Sequence, residues 1–581
     1  MYNFRRKQLA VAAVLLAIAA LVALPVIAQD APPEPGQGGI IIEGTFGSDP
    51  VPFNPLVCQE ATCFQLAGFM LPGLIAVDPE TATFAESGPN AMVTGWTISD
   101  DGLVYTFSLR QDKFWSDGTP VTAKDFVYSF DAIASGQLQN TLYGSILETV
   151  ASMTAPDDYT LVATIKAPDC RALAQISIPP VPSHILPADF AALNDAEWNL
   201  NPTVTAGAFR FGEFRPSELV TLLADQNYKD GEFGYVAPEG YILKNVPDQT
   251  VNVEQFLAGE TNFIQAPQVG RRADVRALAA EGKVQVFSYA GDFYDYFMFN
   301  LADPKNPQNG RDADGNLIPQ GYHPIFSVKE VRQALAKAVD IDAIIKAAAF
   351  GEGTRMTSYL MANSWAYHQD LPPIAYDPEA AKAMLDAVGW RDEDGDGVRE
   401  SHGVTLPDGT VLPDGTPMRF TMIGNEGNTR RAAEGQLIQD QLKQIGVDAI
   451  YQAVEFATWQ ELVNAQTFDV AMLAWQVGYP DDPDATQLFY ASSDVVGSGN
   501  NAGSFYNARF EALNDQARTL PGCDPEARAA IYREMQEIMQ DELPYLWMYS
   551  ISGMYAASAS VQNWKPYAQQ PYFNIDAWYL K

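Results

Sequence analysis

The hydrophobic period of this chain changes near residue 325, and that change constrains its fold more than any other feature. Between residue 40 and about residue 320, short apolar runs with β character alternate with turn clusters and a few helices. They are Ile40-Ile41-Ile42 and residues 105–109, 161–165 and 219–223. Beyond 325 the spacing becomes helical: Val331, Ala334, Leu335, Ala338 and Val339 recur at three- and four-residue steps, which predicts one buried helical face. No fixed-period repeat links the two regions, so a solenoid is excluded. The 581 residues suffice for three or four packing units, and 47 % apolar residues can fill a large core.

Several helix starts are written in the local chemistry. Thr122 with Asp125 three residues on forms a capping box. In Asp377-Pro378-Glu379 and again in Asp524-Pro525-Glu526, Asp caps, Pro fills a position that needs no N–H, and Glu faces the positive end of the helix dipole. Gly389 ends the first of these helices, and Asp340 or Asp342 is placed to cap the turn through Lys346.

The N-terminus points to export. Arg5, Arg6 and Lys7 precede an uninterrupted apolar run over 9–24, and Pro25-Val26-Ile27-Ala28 offers a small-residue cleavage point. Residues 1–28 read as a signal peptide, with an uncleaved anchor as the alternative; no cysteine follows the run, which argues against a lipid-anchored form. Residues 29–39 are a Pro/Gly-rich tether. An exported or extracellular location follows, and the four cysteines, Cys58, Cys63, Cys170 and Cys523, are then disulfide candidates. The short Cys58/Cys63 spacing suits a local clip, which leaves Cys170 and Cys523 to pair or stay free. A zinc site is a weak rival, because His184, His323, His368 and His402 are scattered.

With 36 Lys+Arg against 72 Asp+Glu, the net charge of −36 repels phosphate backbones and anionic lipid surfaces and excludes a nucleic-acid partner. No GxSxG elbow, HExxH pair or phosphate-cradling loop appears, so the residues name no catalytic group. One cation site is a candidate: Asp392, Asp394 and Asp396, followed by Gly397, resemble the first half of a calcium loop, although position twelve is Gly403 and only Glu400 could reach in. Structural calcium is the one cofactor this raises; the alternative is an Asx-rich turn. Aromatic residues beside turn chemistry, namely Tyr294 and Tyr296 before Asn300, Trp365, and Trp475 with Tyr479 before a Pro-Asp-Asp-Pro-Asp turn, are candidates to line a pocket.

Taken as a set, FWSDGTPVTAKDFVYSF (114–130), HPIFSVKEVRQALAKAVDIDAIIKAAAFGEG (323–353), AYDPEAAKAMLDAVGWRDEDGDGVRE (375–400), the long 435–484 segment and residues 516–549 resemble the family-5 extracellular solute-binding proteins, receptors of peptide- and nickel-type ABC importers. The resemblance runs in order over nearly all of the exported part. It implies an α/β, two-lobed periplasmic-binding-protein fold of class II, with an extra subdomain in lobe I and hinge closure around a ligand. Projected onto this chain, lobe I takes 40–78, 202–290 and 550–581, the extra subdomain 79–201, and lobe II 291–549. It further implies a monomeric, non-enzymatic receptor that hands a small solute to the transmembrane subunits of an ABC permease. The implied ligand-binding residues are Trp475, Tyr479, Tyr294, Tyr296, Asn300, Phe46, Ser48, Asp49 and Trp365.

Two departures bear on the solute. Where peptide-binding members carry an Asp three residues after the Trp for the peptide's α-ammonium, this chain has Gly478; where some carry an Arg three residues before it, this chain has Met472. An enclosed peptide amine then needs Asp481, Asp482 or another acid. An oligopeptide is the first expectation, an oligosaccharide the second and a nickel chelate the third. An extracellular hydrolase and a purely structural surface protein are the readings of a different class.

Overall fold

The computed structural model describes residues 32–581 except 47–48, 59–60, 140–142, 144–145, 247 and 480. The export segment 1–28 lies outside the described residues, and no described helix is long and apolar enough to cross a membrane.

Two mixed sheets carry the architecture. The first has seven strands in the order Val284–Tyr289, Gly553–Ser558, Phe263–Gln265, Ile40–Phe46, Gly240–Val246, Leu219–Ala224 and Phe209–Arg215. Ile40–Phe46 runs parallel to Gly240–Val246, with Ile40 opposite Gly240 and Phe46 opposite Val246. The second has six strands in the order Gly353–Arg355, Tyr545–Ile551, Phe293–Phe299, Val470–Gln476, Arg419–Asn425 and Asp448–Val454. Its central strand, FYDYFMF, is apolar almost throughout because both faces are covered.

A four-stranded antiparallel sheet, Val93–Ile98, Val104–Leu109, Thr160–Ile165 and Val150–Asp157, is inserted between strands of the first sheet. It packs against the Ala123–Ala134 helix, and its Phe107, Leu161 and Ile165 share one apolar cluster with Ile41 and Tyr241 of the seven-stranded sheet and with Trp578 near the C-terminus. The inserted sheet is therefore part of the first lobe's core. A separate cluster, from Tyr294 to Tyr549, forms the core of the second lobe. Among the described residues the chain passes between the lobes twice: between Tyr289 and Phe293, and between Ile551 and Gly553. At these crossings Arg272 of the first lobe donates to the Ser552 carbonyl at 2.6 Å, and Arg276 pairs with Glu352 at 2.9 Å.

The helix starts follow the local chemistry. Asp377 accepts from the Ala380 amide at 2.9 Å and Asp524 from the Ala527 amide at 2.9 Å, each with proline in the first helical position. Gly389 ends Pro378–Val388 in the left-handed region at φ 98°, where a side chain would be strained. Asp125 accepts from the Thr122 amide at 2.8 Å, and Asp340, rather than Asp342, caps Ile341–Ala348.

All four cysteines are paired, Cys58 with Cys63 and Cys170 with Cys523. The first bridge clips a loop of the first lobe and is fully buried. The second joins the segment after the inserted sheet to a second-lobe loop, with the Cα atoms 5.5 Å apart and 353 residues between them in sequence.

Candidate functional site

Between the lobes lie two adjoining chambers, of about 690 and 330 Å³, that share Gln476, Val477, Gly478 and Tyr479. The shared segment leaves the end of the Val470–Gln476 strand and runs across the cleft, and the Tyr479 hydroxyl reaches the Asp78 carbonyl at 3.5 Å. The smaller chamber reaches the chain crossings at Asp292 and Tyr555 and adds Gln265 and Gln569. In the larger one, Val77, Phe84, Arg171, Gln175 and Ser177 of the first lobe face Tyr294, Tyr359, Trp475 and Asp481–Asp484 of the second.

Strand register explains the aromatic floor. Tyr294 lies directly opposite Trp475 in the antiparallel pair, and successive side chains alternate between faces, so Tyr294, Tyr296 and Trp475 share one face. The Tyr296 ring stacks on Trp475 with centroids 5.4 Å apart and on Tyr545 at 4.9 Å. On the other face, Asp295 receives Arg430 and Arg431, the latter at 3.2 Å. Arg430 also donates to Glu434 one turn on in the same helix, Thr429–Lys443, at 2.6 Å, and the pairing with Asp295 fixes that helix against the sheet.

The charges of the larger chamber fall into a satisfied set and an unsatisfied one. Arg171 donates to Asp169 at 2.7 Å and to Asp484 at 2.6 Å, and Arg518 donates to Asp169 at 3.1 Å. Asp484 also accepts from Asn514 and Thr486, each at 2.7 Å. Burial opposes ionisation of Asp169, yet the Arg171 hydrogen bonds outweigh it and hold the carboxyl at about 2. Asp481 is different. Its carboxylate oxygens are buried, and no cation among the described residues pairs with them. Burial pushes it up, against the pull of the nearby Ser364 hydroxyl and Trp365 backbone. Asp482 is pushed up to about 6 by burial and by the charge of Asp484, with Arg528 3.9 Å away pulling the other way. A buried carboxylate with so few partners costs free energy.

The sequence-predicted site residues divide. Tyr294, Trp475 and Tyr479 line the larger chamber. Tyr296 does not, because Trp475 and Tyr545 stack over its ring. Asn300 is corrected to a structural role: fully buried, it donates to the Gln466 and Phe468 carbonyls, both at 2.9 Å, and accepts from the Ala302 amide. Asp49 lines neither chamber; it accepts from the Ser217 amide at 2.8 Å and from Asn245 at 3.3 Å, tying its loop to the neighbouring hairpin. Phe46 ends the first strand, but its side chain and Ser48 lie outside the described residues. Trp365 stands behind the wall, donating to the Asp481 carbonyl at 3.2 Å with Arg528 over its ring at 5.2 Å.

Of the calcium candidates, Asp396 is the one the structure removes. Asp392 accepts from the Gly395 and Gly397 amides and Asp396 from the Val398 amide, as in an Asx-rich turn. The carboxylates that converge are Asp392, Asp394 and Glu400, not Asp396, and nothing beyond these exposed acids points to a cation. The two departures read differently in three dimensions. Met472 is buried in the second lobe's core, 1 % exposed, while Gly478 does line both chambers. Acid reaches the cleft three and four residues further on, at Asp481 and Asp482. Sequence reasoning missed Arg171, Tyr359 and Asp484 as pocket residues. Arg171 lies in no periodic run, and its only sequence mark is its place beside Cys170.

The fold and the sequence have relatives. The chain is 25 % identical over 562 residues to the oligopeptide-binding protein AppA of Bacillus subtilis, covering 94 % of this chain and 92 % of that one. It is 26 % identical over 559 residues to the heme-binding protein A of Haemophilus influenzae, covering 91 % and 90 %. Among solved structures, AppA of Bacillus subtilis in complex with a nonapeptide superposes with a TM-score of 0.73 at 24 % identity, over 94 % of this chain and all of that one. NikZ of Campylobacter jejuni in complex with Ni(L-His) gives 0.72 at 20 % identity, over 94 % and 100 %. The family model of the bacterial extracellular solute-binding proteins, family 5, matches residues 89–496, well over half of the chain, and to that family the protein belongs.

Proposed function

We propose that this protein is the receptor of an ABC importer and captures a peptide-class solute that carries a free amine. The observation that carries the reading is a pair of acids, Asp481 and Asp482, in the wall of a chamber of about 690 Å³ between the lobes, with only the Ser364 hydroxyl and the Trp365 backbone beside the Asp481 carboxylate. An ammonium group would offset the desolvation of these acids, and Trp475, Tyr294 and Tyr479 would flank the chain that bears it. The names of relatives agree, since an oligopeptide-binding protein and the dipeptide-binding protein of Escherichia coli are both similar to this chain. A neutral oligosaccharide would leave Asp481 uncompensated. Neither chamber is lined by histidine or cysteine among the described residues, which disfavours a nickel chelate.

In this reading residues 40–78, 202–290 and 550–581, together with the insert 79–201, move as one body against 291–549. Bending occurs at the two crossings, and ligand touching both lobes stabilises the closed form that a permease would engage. The protein acts as an exported monomer without catalysis. Calorimetric titration with trialanine and N-acetyl-trialanine, each run with and without dithiothreitol, tests the solute class. We expect the free amine to bind, and acetylation or Asp481→Asn to weaken binding at least about tenfold. Equal affinity for the acetylated peptide would overturn the amine reading.

A further inference from the structure

We propose that the Cys170–Cys523 disulfide is a redox latch that holds the cleft closed, so that a dithiol governs its opening. The inference rests on the reading of the cleft as a hinged solute site and adds to it a means of control. Cys170 follows the inserted sheet and leads into Ala172 and Ile176, which are buried in the first lobe's core. Cys523 lies between Ala517 and Ala529, which are buried in the second lobe's core. The bond therefore joins two bodies that, among the described residues, otherwise exchange chain near residues 290–292 and 552. Its place is the far end of the cleft. The smaller chamber touches those crossings, the 476–479 segment separates it from the larger chamber, and Arg171, adjacent to Cys170, walls the larger one.

The surroundings reinforce closure on the same line. The Cys170 amide donates to the Arg518 carbonyl at 2.8 Å, and the Arg171–Asp484 and Arg518–Asp169 pairs cross between the lobes at 2.6 and 3.1 Å. Those contacts can part and re-form during a hinge motion, whereas a covalent bond cannot. A disulfide here lets the lobes rotate only as far as one short bridge allows.

The two bridges also differ in access. Cys58 and Cys63 are fully buried, while Cys170 and Cys523 are only half-buried and Pro521, Gly522 and Asp524 around Cys523 are exposed. Exchange requires a thiolate to reach a sulfur, so the interlobe bridge is the one a reductant meets first. The reductant is a dithiol, such as the paired cysteines of an exported thiol–disulfide oxidoreductase. One of its thiolates attacks a bridge sulfur, forms a mixed disulfide and releases the other cysteine as thiolate. Its second thiol then closes its own disulfide and releases the second cysteine. Two electrons pass from the dithiol to the bridge, and the freed cysteines take up two protons.

The test needs no solute. Small-angle scattering and amide hydrogen exchange are measured on the oxidised protein, on the same protein held in dithiothreitol, and on Cys170→Ser/Cys523→Ser. Cys58→Ser/Cys63→Ser serves as the control. We expect the reduced protein and the interlobe variant to show a larger radius of gyration and exchange about tenfold faster over residues 474–485, and the control to match the oxidised protein. Identical scattering and exchange in all forms would overturn the latch. Should the interlobe variant fail to fold, judged by circular dichroism, the dithiothreitol-treated protein carries the same comparison. Trialanine binding is scored separately: opening on reduction with no trialanine bound to either form supports the latch and removes the solute reading.

Discussion

Arg171 of the first lobe and Asp484 of the second, 313 residues apart in sequence, meet at 2.6 Å at the far end of the cleft. The pair is nearly enclosed, with side-chain exposures of 12 % and 9 %, and Asp169 and Arg518 complete a ring of alternating charge between the lobes. Its members balance one another, whereas Asp481 and Asp482 in the same chamber have weaker partners.

Removing Arg171 would leave Asp169 and Asp484, two buried carboxylates, to share one cation, Arg518. Arg171→Ala is expected to destabilise the closed protein by about 3 kcal/mol or more, and Asp484→Asn by less, because Asn514 and Thr486 still hold the amide. A double-mutant cycle read by thermal denaturation should give a coupling of about 1–3 kcal/mol; a coupling near zero would show the pair to be screened. The same ring sets an acid limit. Asp169 is held at about 2 against an ordinary 3.8, so the stability it contributes is present above 3.8 and is lost as pH falls towards 2. Arg171→Ala should flatten that limb.

Amine binding should depend on pH with a defined sign. Asp482 is pushed up to about 6 and Asp481 is also raised, so both are more protonated at pH 5 than at pH 7. Affinity for trialanine is expected to rise up to about tenfold from pH 5 to 7, and Asp482→Asn to reduce that rise. Calorimetry at three pH values checks it, and an affinity that falls over this range would contradict the assignment of the acids.

A second buried acid sits in the first lobe. Glu43 accepts from Tyr241 at 2.6 Å and from Tyr572 at 2.8 Å; burial pushes it up to about 7 while the tyrosine hydrogen bonds pull it back. A raised carboxyl binds its proton more tightly folded than unfolded, so between 4.5 and 7 stability falls as pH rises, by about 3 kcal/mol for this group. Glu43→Gln keeps an acceptor for the tyrosines and removes the proton. Relative to the native protein the variant should gain in melting temperature as pH goes from 5 to 8; a constant offset would mean that Glu43 does not titrate there.

Trp475 serves the pocket and the core together. Half-buried and stacked on Tyr296, it should lose both functions in Trp475→Ala: about 3 kcal/mol of stability by cavity formation and at least about tenfold in trialanine affinity. Tyr479→Ala, on the segment that crosses the cleft, should weaken binding with little change in melting temperature. Equal thermal losses in the two variants would place Tyr479 in the core as well.

The local signals were legible in the sequence by itself. Asp377-Pro378 and Asp524-Pro525 start helices where short-range hydrogen bonding says they must, and the apolar runs at 40–42, 105–109, 161–165 and 219–223 lie in strands. The ordered set of family-like segments carried the two-lobed architecture. What only the tertiary structure decided are relationships with no local signature. Tyr294 and Tyr296 are alike in sequence, yet Trp475 and Tyr545 close over one and leave the other at the cavity. Asn300 looked like a hinge ligand until the carbonyls of Gln466 and Phe468 came to it. The partner of Cys170 lies 353 residues away and that of Arg171 lies 313 away, brought together only when two separately packed cores dock. Caps and periodicity act over one turn or one strand and can be read from neighbours, whereas register, ring closure and lobe contact are set by the whole chain at once.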